Sequence, residues 1–296
     1  MLAVVQFYWS AVVLLPLLAC AGIGAYWAKR DYPFGGTFIT MLVTTVTTPA
    51  LVFHTFVTTQ LDDRALLAIA GASLLALLAC ALACAGLLRL FGLPVRTLLP
   101  TAFVPNAGNL GLPVSQLAFG DAGLSAAVAF FAVNSFVTHT IAVRMLPGAN
   151  TPGSWKSPVL LASVAAVTLR ALDIPVPDWL VATSRMLGAV TVPLMLLSLG
   201  HALALIPANG MRAGAVVAAL RLAVGLAAGY AVVWLLGLPD LLAGALALQM
   251  AMPCAVVSYM YARRYTDVGD IAAGAVLVST VVFLLLAPAL LWFTRQ

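Results

Sequence analysis

Two apolar stretches decide the fold of this chain: Phe103-Val-Pro-Asn-Ala-Gly-Asn-Leu-Gly-Leu-Pro-Val114 and Leu248-Gln-Met-Ala-Met-Pro-Cys254. A proline inside a helix removes a backbone donor and clashes with the preceding turn, so Pro113 and Pro253 are predicted to break two helices. Broken backbone in hydrocarbon is tolerated only where protein or a water-filled cavity satisfies it. Paired interruptions in corresponding places of two chain halves indicate a transporter-type binding site.

The composition predicts a multi-pass membrane protein. Of the 296 residues, 64% are hydrophobic and 8% are charged, and the nine acidic residues are all aspartate. Basic residues stand at the ends of apolar stretches, so the net charge of +5 does not indicate nucleic-acid binding. The four cysteines lie inside apolar stretches, which argues against a disulfide framework or a zinc site. No metal or cofactor is therefore expected.

The apolar runs, each of roughly 20 residues, predict ten membrane spans. They fall at about 4–27, 35–57, 65–90, 97–120, 122–145, 157–173, 179–204, 212–237, 240–263 and 270–293. With ten spans, the connecting loops separate by charge. One side carries nine basic residues: Lys29, Arg30, Arg89, Arg96, Arg144, Lys156, Arg212, Arg263 and Arg264. The other carries four, Arg64, Arg170, Arg185 and Arg295, so the positive-inside rule predicts both termini outside the cytoplasm of a cell (inner) membrane protein.

Proline positions predict an internal repeat. Pro49 and Pro193 lie 144 residues apart, and Pro113 and Pro253 lie 140 residues apart. Because five spans per repeat is an odd number, the second repeat would enter the membrane from the opposite face, which suits alternating access. The predicted organisation is a first five-helix repeat at 1–146, a linker at 147–156 and a second repeat at 157–296.

The predicted crossover of the broken helices favours an anion. A half-helix that begins at a break has free N–H groups and partial positive charge at its amino end. Two such ends near the midplane form an anion site, whereas the carbonyl ends of the preceding half-helices suit cations. Every aspartate falls at a predicted span end or in a loop, so the interior lacks a carboxylate that would hold a cation.

The polar residues of the first broken span are the leading substrate-binding candidates. Asn106 and Asn109 flank Gly108, and Gly111 follows them. The glycines allow a ligand to approach the backbone closely, and the amides can donate to a carboxylate. The alternative is that both asparagines only satisfy the broken helix.

Further candidates come from other spans. Gln249 stands before Pro253, Asn134 lies in the fifth span, and Arg221 lies well inside the eighth span. Each can contact substrate; the alternatives are helix packing for the two amides and snorkelling for Arg221. His139 and His201, with His54, are candidate groups for proton coupling or, alternatively, packing residues.

Four stretches together resemble the auxin efflux carrier family, which includes plant auxin carriers and bacterial permeases for small dicarboxylates such as malonate and malate. They are Asn106-Ala-Gly-Asn-Leu-Gly-Leu-Pro-Val114, Gly24-Ala-Tyr-Trp-Ala-Lys-Arg30, Pro49-Ala-Leu-Val-Phe53 and Ala251-Met-Pro-Cys-Ala-Val-Val-Ser-Tyr-Met-Tyr-Ala-Arg-Arg-Tyr265, with Ser279-Thr280 in the tenth span. Where plant carriers have a Lys-Glu pair after the ninth span, this chain has Arg263-Arg264, and it also lacks the long loop of many plant members. It therefore resembles the bacterial type.

The resemblance implies an all-α membrane protein of ten helices in two inverted five-helix repeats, with broken and crossed helices 4 and 9. It also implies a scaffold of spans 1, 2, 6 and 7, often dimeric, and a transport unit of spans 3–5 and 8–10 that moves as an elevator. An organic anion would bind at the crossover, where Asn106 and Asn109 match amides of the family. The expected substrate is a mono- or dicarboxylate, and H⁺ and Na⁺ are both candidate coupling ions.

Three other functions are weighed. A sodium-coupled organic-anion symporter of the bile-acid-carrier type shares this architecture, but the missing intramembrane carboxylates weigh against it. An enzyme is not indicated, because the chain has no His-Glu-x-x-His and no Gly-x-Ser-x-Gly motif. A channel would be recognised by ion currents far above carrier rates.

Overall fold

The protein is all-α. A computed structural model describes residues 12, 14–149, 157–207 and 210–294, and these residues form eleven helices, some of them bent or locally distorted. We number them in chain order: α1 Leu15–Lys29, α2 Gly36–Thr58, α3 Asp63–Leu90, α4 Val95–Phe103, α5 Ala107–Met145, α6 Pro158–Ala171, α7 Asp178–Leu205, α8 Met211–Leu236, α9 Asp240–Met250, α10 Val256–Tyr265 and α11 Gly269–Thr294. Most of the predicted linker and the C-terminal Arg295 lie outside the described residues.

Six of these helices are long and apolar enough to cross a membrane: α2, α3, α5, α7, α8 and α11. Two more, α6 and α9, are apolar but shorter. Large apolar side chains such as Leu67, Leu82 and Leu285 point outward and are well exposed. In water these side chains would be costly, whereas in a bilayer they face acyl chains.

The predicted spans and the observed helices agree closely at most boundaries. The span predicted at 65–90 is α3, and the span predicted at 212–237 is α8. The chain predicted to form spans 97–120 and 122–145 is divided at a different place. Its helix break follows Phe103, so α4 is short and the residues from Ala107 to Met145 form α5. The existence of ten membrane crossings and of two inverted repeats stays a prediction.

Helix α5 folds back on itself at Gly120, whose φ of 65° and ψ of −154° are not helical. A Cβ atom added at Gly123 would lie 3.0 Å from the carbonyl oxygen of Ser115. In a straight helix these two residues would be about 12 Å apart along the axis. The bend therefore divides α5 into a first section, which follows the break, and a second section that ends at Met145.

The helices pack in two groups. In the first group, α1 lies along the second half of α7, and α6 lies against α2. The contact between α1 and α7 is close, because a Cβ at Gly24 would overlap the backbone of Leu197 and one at Gly200 would overlap the backbone of Ala21. The second group consists of α3, α4, α5 and α8–α11, in which α8 packs against both α3 and α11.

Two prolines of the first group follow distortions of their helices. Pro49 lies two residues after a π-helical turn at Val43–Thr47 in α2. Pro193 lies three residues after Val190, at which the two sections of α7, Asp178–Ala189 and Thr191–Leu205, meet. A proline ring clashes with the carbonyl one turn earlier, so a local distortion at that place is expected. The pairing of Pro49 with Pro193 as repeat equivalents stays a prediction.

Candidate functional site: the crossed helix breaks

The two broken segments meet and pair with each other. After α4 ends at Phe103, Asn106 donates its backbone N–H to the carbonyl oxygen of Pro253 at 2.8 Å. In the opposite direction, Ala255 donates to the carbonyl oxygen of Val104 at 3.2 Å. The result is a short antiparallel bridge centred on Pro105 and Cys254. The bridge satisfies backbone groups that the breaks would otherwise leave unpaired in an apolar interior.

The first break is not at Pro113, and this prediction is wrong in position. Residues 104–106 form the break, while Pro113 lies inside α5, directly after a π-helical turn at Ala107–Gly111. Pro105 explains the location, because the residue before a proline is pushed toward extended backbone, and Val104 has φ −80° and ψ 115°. Pro253 does lie in the second break, as predicted.

Asn106 and Asn109 stand at the amino end of α5, beside the bridge. Asn106 is 4% exposed, and its carbonyl accepts bonds from Leu110 and Gly111. Its side chain makes no capping bond, and Nδ2 is buried without a hydrogen-bond partner. Asn109 and Gly108 are half-buried. The amide of Asn106 is thus an unused donor rather than a cap for the broken helix.

Gln249 connects the second broken segment to α5. Its Nε2 atom donates to Ser115 Oγ at 3.1 Å, and its Oε1 atom is buried without a partner. The side chain passes over Gly111, where an added Cβ would lie 2.9 Å from Gln249 Cδ. Because Gly111 has no side chain, the Gln249 side chain can pack directly against the backbone of α5 at this position.

Asn134 lies on the section of α5 that faces the amino end. A Cβ at Gly108 would lie 2.9 Å from Phe131 Cε2, so the two sections of α5 touch at this place. Asn134, one turn after Phe131, is on the same face of the helix. It is 5% exposed, and its Oδ1 atom has no partner.

Arg221 contacts the carbonyl ends of the helices that precede the two breaks. The side chain is completely buried. Its Nε atom donates to Met252 O at 3.2 Å, and Nη1 and Nη2 donate to the carbonyl oxygens of Phe103 and Met250. A further contact joins Nη1 to Cys80 Sγ at 3.4 Å. The guanidinium thus binds the ends of α4 and α9, and its role as a substrate ligand stays a prediction.

Two of the residues that build this site were not recognised from the sequence as its components: Pro105 and Ser115. Pro105 had a usable signal, since a Val-Pro pair precedes the polar run in an apolar stretch. Ser115 had none, because only the fold brings its hydroxyl to Gln249. Ser279, noted in the resemblance, accepts the N–H of Cys254 at 3.0 Å and so satisfies the second break.

The candidate histidines lie in other contacts. His139 Nδ1 is 3.2 Å from Tyr261 Oη, which joins α5 to α10. His201 stacks on Phe34 with ring centroids 4.0 Å apart. His54 lies in α2, and its Nδ1 atom is buried without a partner. Asn106, Gly111 and Gln249 thus lie together at the crossover. The contacts described for His139 and His201 are with other parts of the structure.

The crossover contains no acidic side chain in the described part of the chain. All nine aspartates are exposed, and Arg221 is the one charged side chain that is buried among the described residues. Among the same residues, Arg170 Nε and Asp63 Oδ1 form an ion pair at 3.1 Å. No cluster of three His, Cys, Asp or Glu side chains there could hold a metal ion. The chemistry of the site is therefore that of amides, backbone groups and one cation.

Comparison with known proteins identifies the family. A family model described as membrane transport protein matches residues 10–156 and 151–291, which is nearly the whole chain. No curated protein matches it. Members of this family are multi-pass membrane proteins that transport a substrate, rather than enzymes. The chain belongs to the auxin efflux carrier family of membrane transport proteins.

Proposed function

We propose that the protein is a secondary transporter that carries a small organic anion, a mono- or dicarboxylate, by elevator-type alternating access. One observation carries the proposal. The antiparallel bridge centred on Pro105 and Cys254 joins the segments that directly precede α5 and α10, and beside it lie the Asn106 amide, whose Nδ2 has no hydrogen-bond partner, and the half-buried Asn109.

The chemistry of these groups favours an anion. The first N–H groups of a helix have no acceptor within it, and the helix dipole makes this end partially positive. A carboxylate placed there would accept charge-assisted hydrogen bonds from the backbone and from the Asn106 and Asn109 amides. A free carboxylate pays a large desolvation cost on entering an apolar interior, and such bonds offset it. The exposed positions of the aspartates leave no repelling charge at the site.

The packing supports an elevator. The crossover lies entirely within the group formed by α3, α4, α5 and α8–α11, so substrate would move with this group. The other group, α1, α2, α6 and α7, corresponds to the scaffold, in which glycine contacts bring α1 and α7 together. In this proposal α4 with the first section of α5, and α9 with α10, each cross the membrane once. Ten crossings follow from it, and the excess of basic residues in one set of loops then predicts both termini outside the cytoplasm.

The test measures binding before transport. The melting temperature of the purified protein is recorded with a panel of mono- and dicarboxylates, because a ligand that binds only the folded state raises it. A carboxylate that stabilises the wild type should lose its effect in Asn109→Asp, which keeps the size of the side chain but adds a repelling charge. The matched control is Gln116→Ala, an exposed position of the same helix.

Uptake of the same carboxylate into proteoliposomes then tests transport. Wild type and Gln116→Ala should transport it, and Asn109→Asp should not. Full transport by Asn109→Asp, with normal expression, would contradict the site. If no carboxylate of the panel raises the melting temperature of the wild type, the proposed substrate class is wrong.

A further inference from the structure

We propose that Arg221 is a resident cation of the crossover: its guanidinium fills a cage of carbonyl oxygens whose chemistry would otherwise bind a free monovalent cation. The cage consists of the carbonyl oxygens of Phe103, Met250 and Met252. All three belong to the ends of α4 and α9 or to the residues just after them. This role of Arg221 does not depend on which solute the protein transports.

The cage lacks another source of positive charge. The last carbonyl groups of a helix have no intrahelical partner and carry the negative end of the dipole. Each helix end is equivalent to about −0.5 charge, so the ends of α4 and α9 together match about one cation. Arg221 is the one buried charged side chain among the described residues, and it supplies that charge.

Rings of backbone carbonyls bind free cations in other membrane proteins, where they replace the hydration shell of the ion. Here the guanidinium of Arg221, which is attached to the chain, takes the place of the free cation. It is held by bonds from Nε, Nη1 and Nη2, so each of its three nitrogens is used. A tethered cation is always present, and the crossover therefore keeps its geometry regardless of the salt in solution.

The neighbouring residues are shaped around the guanidinium. Gly225, one helical turn after Arg221 in α8, has no side chain, and a Cβ there would lie 2.7 Å from Arg221 Cζ. Gly229, one turn further, brings α8 against Met250, where an added Cβ would lie 2.9 Å from Met250 Cβ. Cys80 of α3 closes the remaining side. Arg221 thus joins four helices of the second group: α3, α4, α8 and α9.

The first arm of the experiment uses the wild type. Its melting temperature is measured in sodium, potassium and choline chloride at equal ionic strength. The three values should agree, because the cage is already occupied. A rise in melting temperature that is specific to sodium would overturn the proposal, because a free sodium ion should find no unoccupied carbonyl cage.

The second arm empties the cage. Arg221→Ala leaves three carbonyl groups without a donor in an apolar interior, so its melting temperature should fall by on the order of 10 °C. Millimolar guanidinium chloride should restore part of this loss, because the free ion can refill the cage. Tetramethylammonium chloride at the same concentration should not, because it has no N–H donors. Arg212→Ala, an exposed position of α8, is the matched control and should respond to neither salt.

Two further variants separate charge from size. Arg221→Lys keeps the cation with fewer donors, so its melting temperature should lie between those of the wild type and Arg221→Ala. Arg221→Met keeps much of the volume but no charge, and should be as unstable as Arg221→Ala. Equal stability of Arg221→Met and wild type would overturn the proposal, as would the absence of guanidinium rescue. These measurements need no substrate, so they fail or succeed independently of the proposed anion transport.

Discussion

Asn106 donates its backbone N–H to the carbonyl oxygen of Pro253, which is distant in sequence and belongs to the other half of the chain. The bond fixes the two helix breaks against each other, and the return bond from Ala255 to Val104 completes the bridge. Everything polar at the crossover is arranged around it. The Asn106 amide stands at the start of α5, and Arg221 binds carbonyl oxygens at the ends of α4 and α9.

The close contact of α1 with α7 predicts opposite effects of two similar substitutions. Gly24→Ala should lower the melting temperature clearly, since the new methyl group would overlap the backbone of Leu197. Gly22→Ala, on the same helix, should leave stability unchanged or raise it by up to about 1 kcal/mol, because alanine favours a helix over glycine and nothing lies within 4 Å of the new atom. Thermal unfolding of the two purified variants in detergent makes the comparison. Equal effects would show that α1 and α7 do not pack this closely.

Arg170 predicts a ranking among three substitutions. The guanidinium donates to the carbonyl oxygens of Phe56, Thr59 and Leu61 near the end of α2, and also to Asp63. Because the Asp63 side chain is 61% exposed, Asp63→Asn should cost less than about 1 kcal/mol. Arg170→Ala removes three carbonyl contacts as well and should cost more, about 1–3 kcal/mol.

Arg170→Lys should fall between these two, since an ammonium group lacks the planar fork that reaches several carbonyls at once. Unfolding free energies in low and high salt give the ranking, and only the Asp63 contribution should weaken with salt. A loss in Asp63→Asn as large as that in Arg170→Ala would show that the ion pair, and not the carbonyl contacts, holds this corner.

The sequence predicts the helices of this protein well because its apolar runs and charged ends are long and distinct. Boundaries such as those of α3 and α8 follow from the charged and Gly/Pro punctuation at their ends. The position of the first break was harder to predict, since the stretch contains both Pro105 and Pro113. Pro113 does not end α5, because it is the second residue of the α-helical part that begins at Leu112, after the π-helical turn at Ala107–Gly111, and a proline in the first α-helical turn is tolerated.

The site was predictable in its residue types but not in its contacts. Asn106, Gly111 and Gln249 stand out because polar and small residues are unusual in apolar runs. Whether Arg221 faces substrate or protein depends on which helix ends it meets, and periodicity within α8 carries no such information. The partner of Gln249 was also beyond prediction, because Ser115 is one of many serines in apolar stretches.

The bond between Gln249 and Ser115 predicts a non-additive pair of substitutions. Ser115→Ala removes the acceptor of Gln249 Nε2, and because Oε1 already lacks a partner, the whole amide would be left unsatisfied. An unsatisfied buried polar group costs about 1–3 kcal/mol, and Ser115→Ala should lower the free energy of unfolding by this amount. In Gln249→Ala the same Ser115→Ala change should cost much less, since no amide remains to be satisfied.

The four proteins of this double-mutant cycle are compared by reversible unfolding in detergent, with a coupling energy of about 1–2 kcal/mol expected. Ser125→Ala provides a matched control, because that serine also lies in α5 but bonds only to the carbonyl oxygen of Asp121 in its own helix. Its effect should be the same with and without Gln249. Additive losses for Ser115→Ala and Gln249→Ala would mean that the side chains do not meet, and the second break would then be joined to α5 by the backbone bridge alone.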